Sequence, residues 1–194
     1  MTKKVIGITG GIASGKTTVG EILKAEGYLV IDADETTKRL NEKGNRCYKA
    51  IVKEFGKEFL NLNGEIDKKR LSAFVFKDEN LTKRLNSITY SIIYKELNSE
   101  IEKADDNIVF VLIPLLFESN IQKCFYKVWT VSANINVRIQ RAKKRDNLTI
   151  GEIRNIIKNQ FPEIERNKLA DNIIYNEGKV KDLKIQVLNA LKTI

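Results

Sequence analysis

Residues 10–17, Gly-Gly-Ile-Ala-Ser-Gly-Lys-Thr, constrain this chain more than any other stretch of it. They fit GxxxxGK[ST] without a mismatch. The apolar run Val5-Ile6-Gly7-Ile8 reads as a buried strand before them, and Val19, Ile22 and Leu23 recur at helical spacing after them. A strand that turns through glycines straight into a helix gathers backbone N–H groups and the positive end of the helix dipole at one point, an arrangement that suits phosphate oxygens. Gly10 and Gly15 permit the turn, Lys16 reaches the β- and γ-phosphates as a point charge, and the Thr17 hydroxyl is a ligand for Mg²⁺. Average residue frequencies produce the bare pattern by chance in roughly 1% of chains this long, and the strand and helix on either side lower that further. Gly11, Ile12, Ala13, Ser14, Gly15, Lys16, Thr17 and Thr18 are therefore expected to cradle a nucleoside triphosphate. What is done with the triphosphate stays open at this point.

The rest of the chain alternates strands and helices. Tyr28–Ile31, Ile108–Ile113, Lys127–Val131 and Ile173–Tyr175 read as further buried strands, and helices are expected over 17–25, 36–55 with a break near Gly44, 134–145, after Thr149 and over 179–191. Thr149 and Glu152 have capping-box spacing. Almost continuously apolar strands between helices predict an α/β fold, a three-layer α/β/α sandwich around a mainly parallel five-stranded sheet. From Asp67 to Lys103 no strand is visible, and Leu71, Phe74, Val75, Leu81, Leu85, Ile88, Ile92 and Leu97 keep three- and four-residue spacing. The expectation is one domain over residues 1–194 with a helical subdomain near 60–103 and a second helical insertion before the last strand.

Composition removes several classes of chemistry. The 194 residues contain no histidine, which excludes His-based triads, His-ligated metals and a histidine general base. Two cysteines far apart in sequence, Cys47 and Cys124, make neither a disulfide framework nor a zinc knuckle. No run approaches the ~20 apolar residues of a membrane span, and the first residues lack a signal-peptide design, so a cytoplasmic protein without a membrane partner is expected. The excess of 34 Lys and Arg over 25 Asp and Glu, a net +9, calls for an anionic partner without choosing one.

Asp32 and Asp34 stand at the carboxyl end of the second strand, the edge where open α/β sheets bind ligands. They point to one side if the chain stays extended, where they could hold Mg²⁺ or take a proton from an attacking hydroxyl. The plainer reading is that Asp34 caps the helix beginning near Thr36.

At these residues the sequence resembles a known family. Gly-Gly-Ile-x-Ser-Gly-Lys-Thr at 10–17 with Val30-Ile31-Asp32-Ala33-Asp34 is similar to dephospho-CoA kinase. Leu85-Asn86-x-Ile88, Pro114-Leu115-Leu116-Phe117-Glu118, Gln140-Arg141 through Arg145-Asp146, Ala170-Asp171 and Asn176-Glu177-Gly178 extend the resemblance along nearly the whole chain. It implies a P-loop kinase that uses ATP and Mg²⁺ to phosphorylate the ribose 3′-hydroxyl of dephospho-CoA, the last step of coenzyme A biosynthesis. It also implies Asp34 as general base, Asp32 as a support for the site or its metal, Lys16 and Thr17 in the roles given above, and a mobile lid over about 138–166 carrying Arg141 and Arg145. Asn176 and Gly178 are implied at the adenine, although NxG alone is commonly a turn. Lys68, Tyr90, Leu115 and Glu118 are implied on the acceptor side, together with Asp32. The partners implied are these two small molecules and no nucleic acid, with a monomer expected.

Two positions depart from the family pattern. Tyr90 and Ser91 stand where the family commonly has His and Pro, and Lys68 stands where it commonly has Arg, whose bidentate fork a lysine cannot copy. Arg138, Arg141 and Arg145 share one helix face, while Lys143 and Lys144 read as solvated charge. Glu118 is read equally as a substrate contact or a helix cap. Trp129 is expected in the core, as are Phe74, Phe76, Tyr90 and Tyr94. A nucleoside or nucleotide kinase is the runner-up. A nucleic-acid-binding ATPase is a further alternative, without a recognised motif to support it.

Overall fold

The computed structural model describes residues 3–194. The chain forms two compact units, one made of the segment up to Asp32 together with Ala104–Ile194, the other of Ala33–Lys103.

The first unit holds the sheet. Its strands are β1 (Lys4–Thr9), β2 (Leu29–Asp32), β3 (Ile108–Leu112), β4 (Lys127–Ser132) and β5 (Asn172–Tyr175). They lie in the order β2-β3-β1-β4-β5, and each neighbouring pair is parallel. Ile6 and Ile8 of β1, Phe110 and Leu112 of β3 and Trp129 and Val131 of β4 form one core with Val19, Ile22 and Leu23 of α1 (Lys16–Ala25) and Leu183 and Val187 of α9 (Val180–Leu191). Trp129 is fully buried as expected, its ring 5.2 Å from that of Phe110. On the other face Gly7 leaves the room that Leu116 and Phe125 fill, since a Cβ there would lie 2.7 Å from Leu116 Cδ1.

This strand order places β1 at a switch point. The chain leaves β1 for β2 on one side of the sheet and later reaches β4 on the other, so the turn after Thr9 opens at the carboxyl edge where a ligand can enter. Register fixes Asp32 at the same level: Asp32 pairs with Leu112, and Leu112 pairs with Ile8. Two strand spacings put the Asp32 backbone about 10 Å from that of Ile8.

Between β4 and β5 lie α6 (Ile135–Asp146), α7 (Ile150–Asn159) and α8 (Glu163–Leu169). The complete capping box of Thr149 and Glu152 opens α7. The third of these helices is absent from the sequence reading. Its signals are local and short: Pro162 before the first residue, Glu163 and Glu165 in the first turn, Arg166 and Lys168 in the last.

The second unit is helical and starts at Ala33, earlier than the residue 60 expected from the pattern. It comprises α2 (Ala33–Asn41), α3 (Arg46–Phe55), α4 (Lys68–Val75) and α5 (Glu79–Lys103). Ile51, Phe55, Phe59, Leu71 and Val75 form its main cluster. Phe74, Phe76 and Tyr90, expected in the core, are instead 42%, 73% and 43% exposed. Helical spacing put these rings on a common face, but the interior is already filled by Leu71, Val75 and Leu97, leaving Phe74 against Phe59 and Tyr90 against Tyr94 at the surface.

The expected extension past Asp32 does not occur. Helix α2 begins at Ala33, so strand alternation stops with Asp32 and no longer relates the two carboxylates. Asp34 and Glu35 occupy the first turn of α2, where negative charge favours the helix dipole.

Candidate active site

The loop between β1 and α1 is shaped by residues remote in sequence. Gly15 precedes α1 with φ 101°, a left-handed conformation that favours glycine. A Cβ on Gly15 would also lie 1.9 Å from Asn176 Nδ2. Asn176 follows β5, is only 7% exposed, and donates from Nδ2 to the Ser14 carbonyl at 2.8 Å. Arg141 of α6 donates from Nη1 to the Asn176 carbonyl at 2.9 Å and from Nη2 to Asn176 Oδ1 at 3.4 Å. Phosphate loop, α6 and the end of β5 thus meet at one asparagine.

The donors expected in the loop are placed as follows. Lys16 donates from Nζ to the Gly10 carbonyl at 2.6 Å and to the Gly11 carbonyl at 3.4 Å, which holds the ammonium across the loop. Thr17 is exposed at the start of α1, and Thr18 is half-buried. Ser14 Oγ is buried without a hydrogen-bond partner in a loop otherwise dense with bonds, and Ala13 adopts φ 55°. Ile12 differs from the expectation. Its N–H donates to Gln160 Oε1 at 2.9 Å, so while that bond stands this N–H is spent on protein rather than on phosphate.

The three arginines of α6 have three different fates. Arg138 is 2% exposed, so it is no part of a solvated face. Its Nε donates to the Ile12 carbonyl at 3.0 Å, and its Nη1 donates to Glu163 Oε2 at 2.8 Å. Arg141 is half-buried on Asn176. Arg145 is exposed and forks onto Asp146, with Nε and Nη2 each 2.8 Å from a carboxylate oxygen. That hydrogen-bonded pairing raises the guanidinium pKa and holds the Asp146 carboxyl below its ordinary value. Lys143 and Lys144 are exposed, as solvated charge should be.

Glu118 does not cap a helix in this structure. Its Oε1 accepts the Phe161 N–H at 2.8 Å, a tie from the segment after β3 to the residue before Pro162, while Phe117 and Phe161 stack with centroids 5.5 Å apart. Arg166, 2% exposed, donates to the Phe161 carbonyl at 2.6 Å, and burial pushes its pKa down. Sequence reading missed Gln160, Glu163 and Arg166, because nothing in their spacing says what they cover. Leu115 is 46% exposed. Gly178 lines a cavity of about 310 Å³ with Tyr175, Asn176, Lys179, Asp182 and Gln186.

In the helical unit, Asp34 is exposed in the first turn of α2, and Lys68 is exposed as the first residue of α4 behind its N-cap Asp67. Among the described residues no three Asp, Glu, Cys or His side chains gather as a metal site. A nucleotide-bound Mg²⁺ asks less of the protein, one or two oxygen ligands beside phosphates and water, and the Thr17 hydroxyl and the half-buried Asp32 carboxylate are donors of that kind.

This arrangement has known counterparts. The sequence model of the dephospho-CoA kinase family matches residues 4–182. A dephospho-CoA kinase of Shewanella oneidensis is 36% identical over 187 residues, 96% of this chain and 91% of its own. A solved structure from Thermus thermophilus superposes with a TM-score of 0.86 at 30% identity, covering 100% of this chain and 98% of its own. The dephospho-CoA kinase of Campylobacter jejuni superposes with a TM-score of 0.70 at 26% identity, covering 98% and 96%. The likeness takes in both compact units and every segment that meets at the phosphate loop, and on that extent the chain belongs to the dephospho-CoA kinase family.

Proposed function

We propose that this protein transfers the γ-phosphoryl group of ATP to the ribose 3′-hydroxyl of dephospho-CoA, releasing CoA and ADP. The family match over residues 4–182 carries the reading, and the unbroken phosphate loop supports it. In the reaction the 3′-oxygen forms a bond to the γ-phosphorus, the bond from that phosphorus to the β–γ bridging oxygen breaks, and the hydroxyl proton passes to a base. With no histidine in the chain, a carboxylate is the fitting acceptor, and Asp34 is assigned the task. Asp32, at the end of β2, orients the site or its metal.

On the donor side the backbone N–H groups at the start of α1 receive the phosphates, with Lys16 shifting from the loop carbonyls to the β- and γ-oxygens. Thr17 and Asp32 would hold Mg²⁺, which would supply positive charge against the phosphate oxygens. Arg145 supplies a further positive charge to the transferring group from the lid. The cavity beside Asn176 and Gly178 suits the adenine, being joined to the loop through Asn176. Lys68, Tyr90, Leu115 and Glu118 are assigned to the acceptor. Tyr90 offers a hydroxyl and a ring where the family commonly has an imidazole. We place the enzyme in the cytoplasm as a monomer, consistent with two unpaired cysteines and no described helix long and apolar enough to cross a membrane. The net +9 does not argue for nucleic acid, since Arg138, Arg141 and Arg166 are engaged inside the fold.

The test is ADP release with ATP and Mg²⁺ against a panel of acceptors. Turnover with dephospho-CoA and none with nucleosides or nucleoside monophosphates is expected. Turnover with a nucleoside and none with dephospho-CoA would transfer the chain to the runner-up reading.

A further inference from the structure

The phosphate loop is gripped at a single residue by side chains of the three helices between β4 and β5. The Ile12 N–H donates to Gln160 Oε1 at 2.9 Å, and the Ile12 carbonyl accepts from Arg138 Nε at 3.0 Å. Gln160 ends α7, Arg138 lies in the first turn of α6, and Glu163, which takes Arg138 Nη1 at 2.8 Å, opens α8. Arg138 Nη2 also donates to the same Gln160 oxygen at 3.4 Å, closing the circuit. Glu163 is in turn bonded by the Ser132 hydroxyl at the end of β4. The guanidinium occupies the space beside Gly11, where a Cβ would come within 2.1 Å of Nη2.

Arg138 is buried, so its charge is affordable only with these partners, and the geometry is correspondingly stiff. Ile12 in turn precedes Ala13, whose φ of 55° is a conformation alanine does not choose by itself. Something outside the loop must hold it, and the clamp acts on the adjoining residue.

We infer that Arg138, Gln160 and Glu163 are positioning residues for the nucleotide: they set the shape of the phosphate loop by holding both polar groups of Ile12, so that the base of the lid and the phosphate cradle form one rigid part. Lid motion is then confined to the stretch between Arg141 and Asn159, which carries Arg145, while its two ends stay fixed to the loop. This rests on the loop being a triphosphate site, and it does not depend on the identity of the acceptor.

The experiment is calorimetric titration of ADP with Mg²⁺ into the full chain and three variants, with thermal melts alongside. Gln160→Leu removes the acceptor for Ile12 N–H and leaves the Arg138–Glu163 pair in place. Arg138→Lys keeps the charge but loses the fork. Thr149→Ala weakens α7 at its cap without touching Ile12. Losing a hydrogen bond that fixes the loop is expected to weaken ADP about tenfold in each of the first two variants. Thr149→Ala should lower the melting temperature and leave ADP affinity within twofold. Amide exchange of Ile12 should quicken in Gln160→Leu and stay slow in Thr149→Ala. ADP affinity within twofold of wild type in Gln160→Leu, with Ile12 exchange unchanged, overturns the inference, and that variant alone decides should Arg138→Lys not fold. Wild-type protein that binds no ADP would instead remove the triphosphate site itself. ADP binding without turnover of dephospho-CoA would leave the clamp standing and remove only the acceptor assignment.

Discussion

Gly15→Ala is expected to destabilise the protein by two separable routes, and Asn176 separates them. The backbone route is the left-handed φ of 101°, which costs an alanine about 1–2 kcal/mol. The packing route is the Cβ placed 1.9 Å from Asn176 Nδ2. Asn176 must move away, and its bond to the Ser14 carbonyl is lost, which costs about 2 kcal/mol in a buried setting. Gly15→Ala alone should therefore cost about 3 kcal/mol. Asn176→Ala alone should cost about 2 kcal/mol, because the same carbonyl loses the same donor. Independent effects would give the double variant about 5 kcal/mol; a shared cause gives about 3, since the clash and the lost bond occur once. Urea unfolding of the four proteins at a common m-value measures this directly. A double variant whose cost equals the sum of the singles within about 0.5 kcal/mol would refute the claim that Asn176 and Gly15 act through one contact.

Four further outcomes are expected. Asp34→Asn should cut kcat by about 10²–10⁴-fold with KM for ATP nearly unchanged, read by steady-state kinetics; an unchanged kcat removes Asp34 as base. Arg145→Lys should cost about tenfold or more in kcat if the guanidinium grips the transferring phosphate, whereas wild-type rates return Arg145 to its ion pair with Asp146. A thiol reagent at neutral pH should modify the exposed Cys124 quickly and Cys47 only on unfolding, because Cys47 is buried and burial raises its thiol pKa; equal rates would contradict this. Hydrogen bonds from the Thr149 hydroxyl and backbone hold the Glu152 carboxyl below its ordinary value. The support this gives α7 is complete above the ordinary glutamate pKa and is lost as pH falls through the depressed one. Thr149→Ala should therefore lower the melting temperature at pH 7 and show a smaller difference in acid, where only the bond from Glu152 N–H to the Thr149 hydroxyl remains to be lost; a difference constant down to pH 2 would exclude the linkage.

The parts legible in the sequence are those whose cause is contiguous. The phosphate loop was readable because strand, glycines, lysine and helix follow one another within residues 5–25, and the capping box because Thr149 and Glu152 are three residues apart. The acidic pair was readable as residues but not as geometry, since strand alternation assumes a strand that in fact ends at Asp32. Arg138 looked like its neighbours Arg141 and Arg145 because spacing reports a shared face and cannot report what covers it. The cover comes from Gln160 and Glu163, beyond an intervening helix. Glu118 has the same difficulty, its partner being 43 residues away. The aromatic residues of the helical unit fail for the converse reason: helical spacing reports a shared face and not burial, and the interior is already filled by Ile51, Phe55, Phe59, Leu71 and Val75.

The account turns on where the phosphate goes. Phosphorus NMR of the product formed from ATP, Mg²⁺ and dephospho-CoA reads that directly. The expected result is one new phosphomonoester on the ribose 3′-carbon, matching authentic CoA, and none from an acceptor lacking the 3′-hydroxyl. A phosphate on another oxygen of the acceptor, or conversion of ATP to ADP and inorganic phosphate alone, would contradict it.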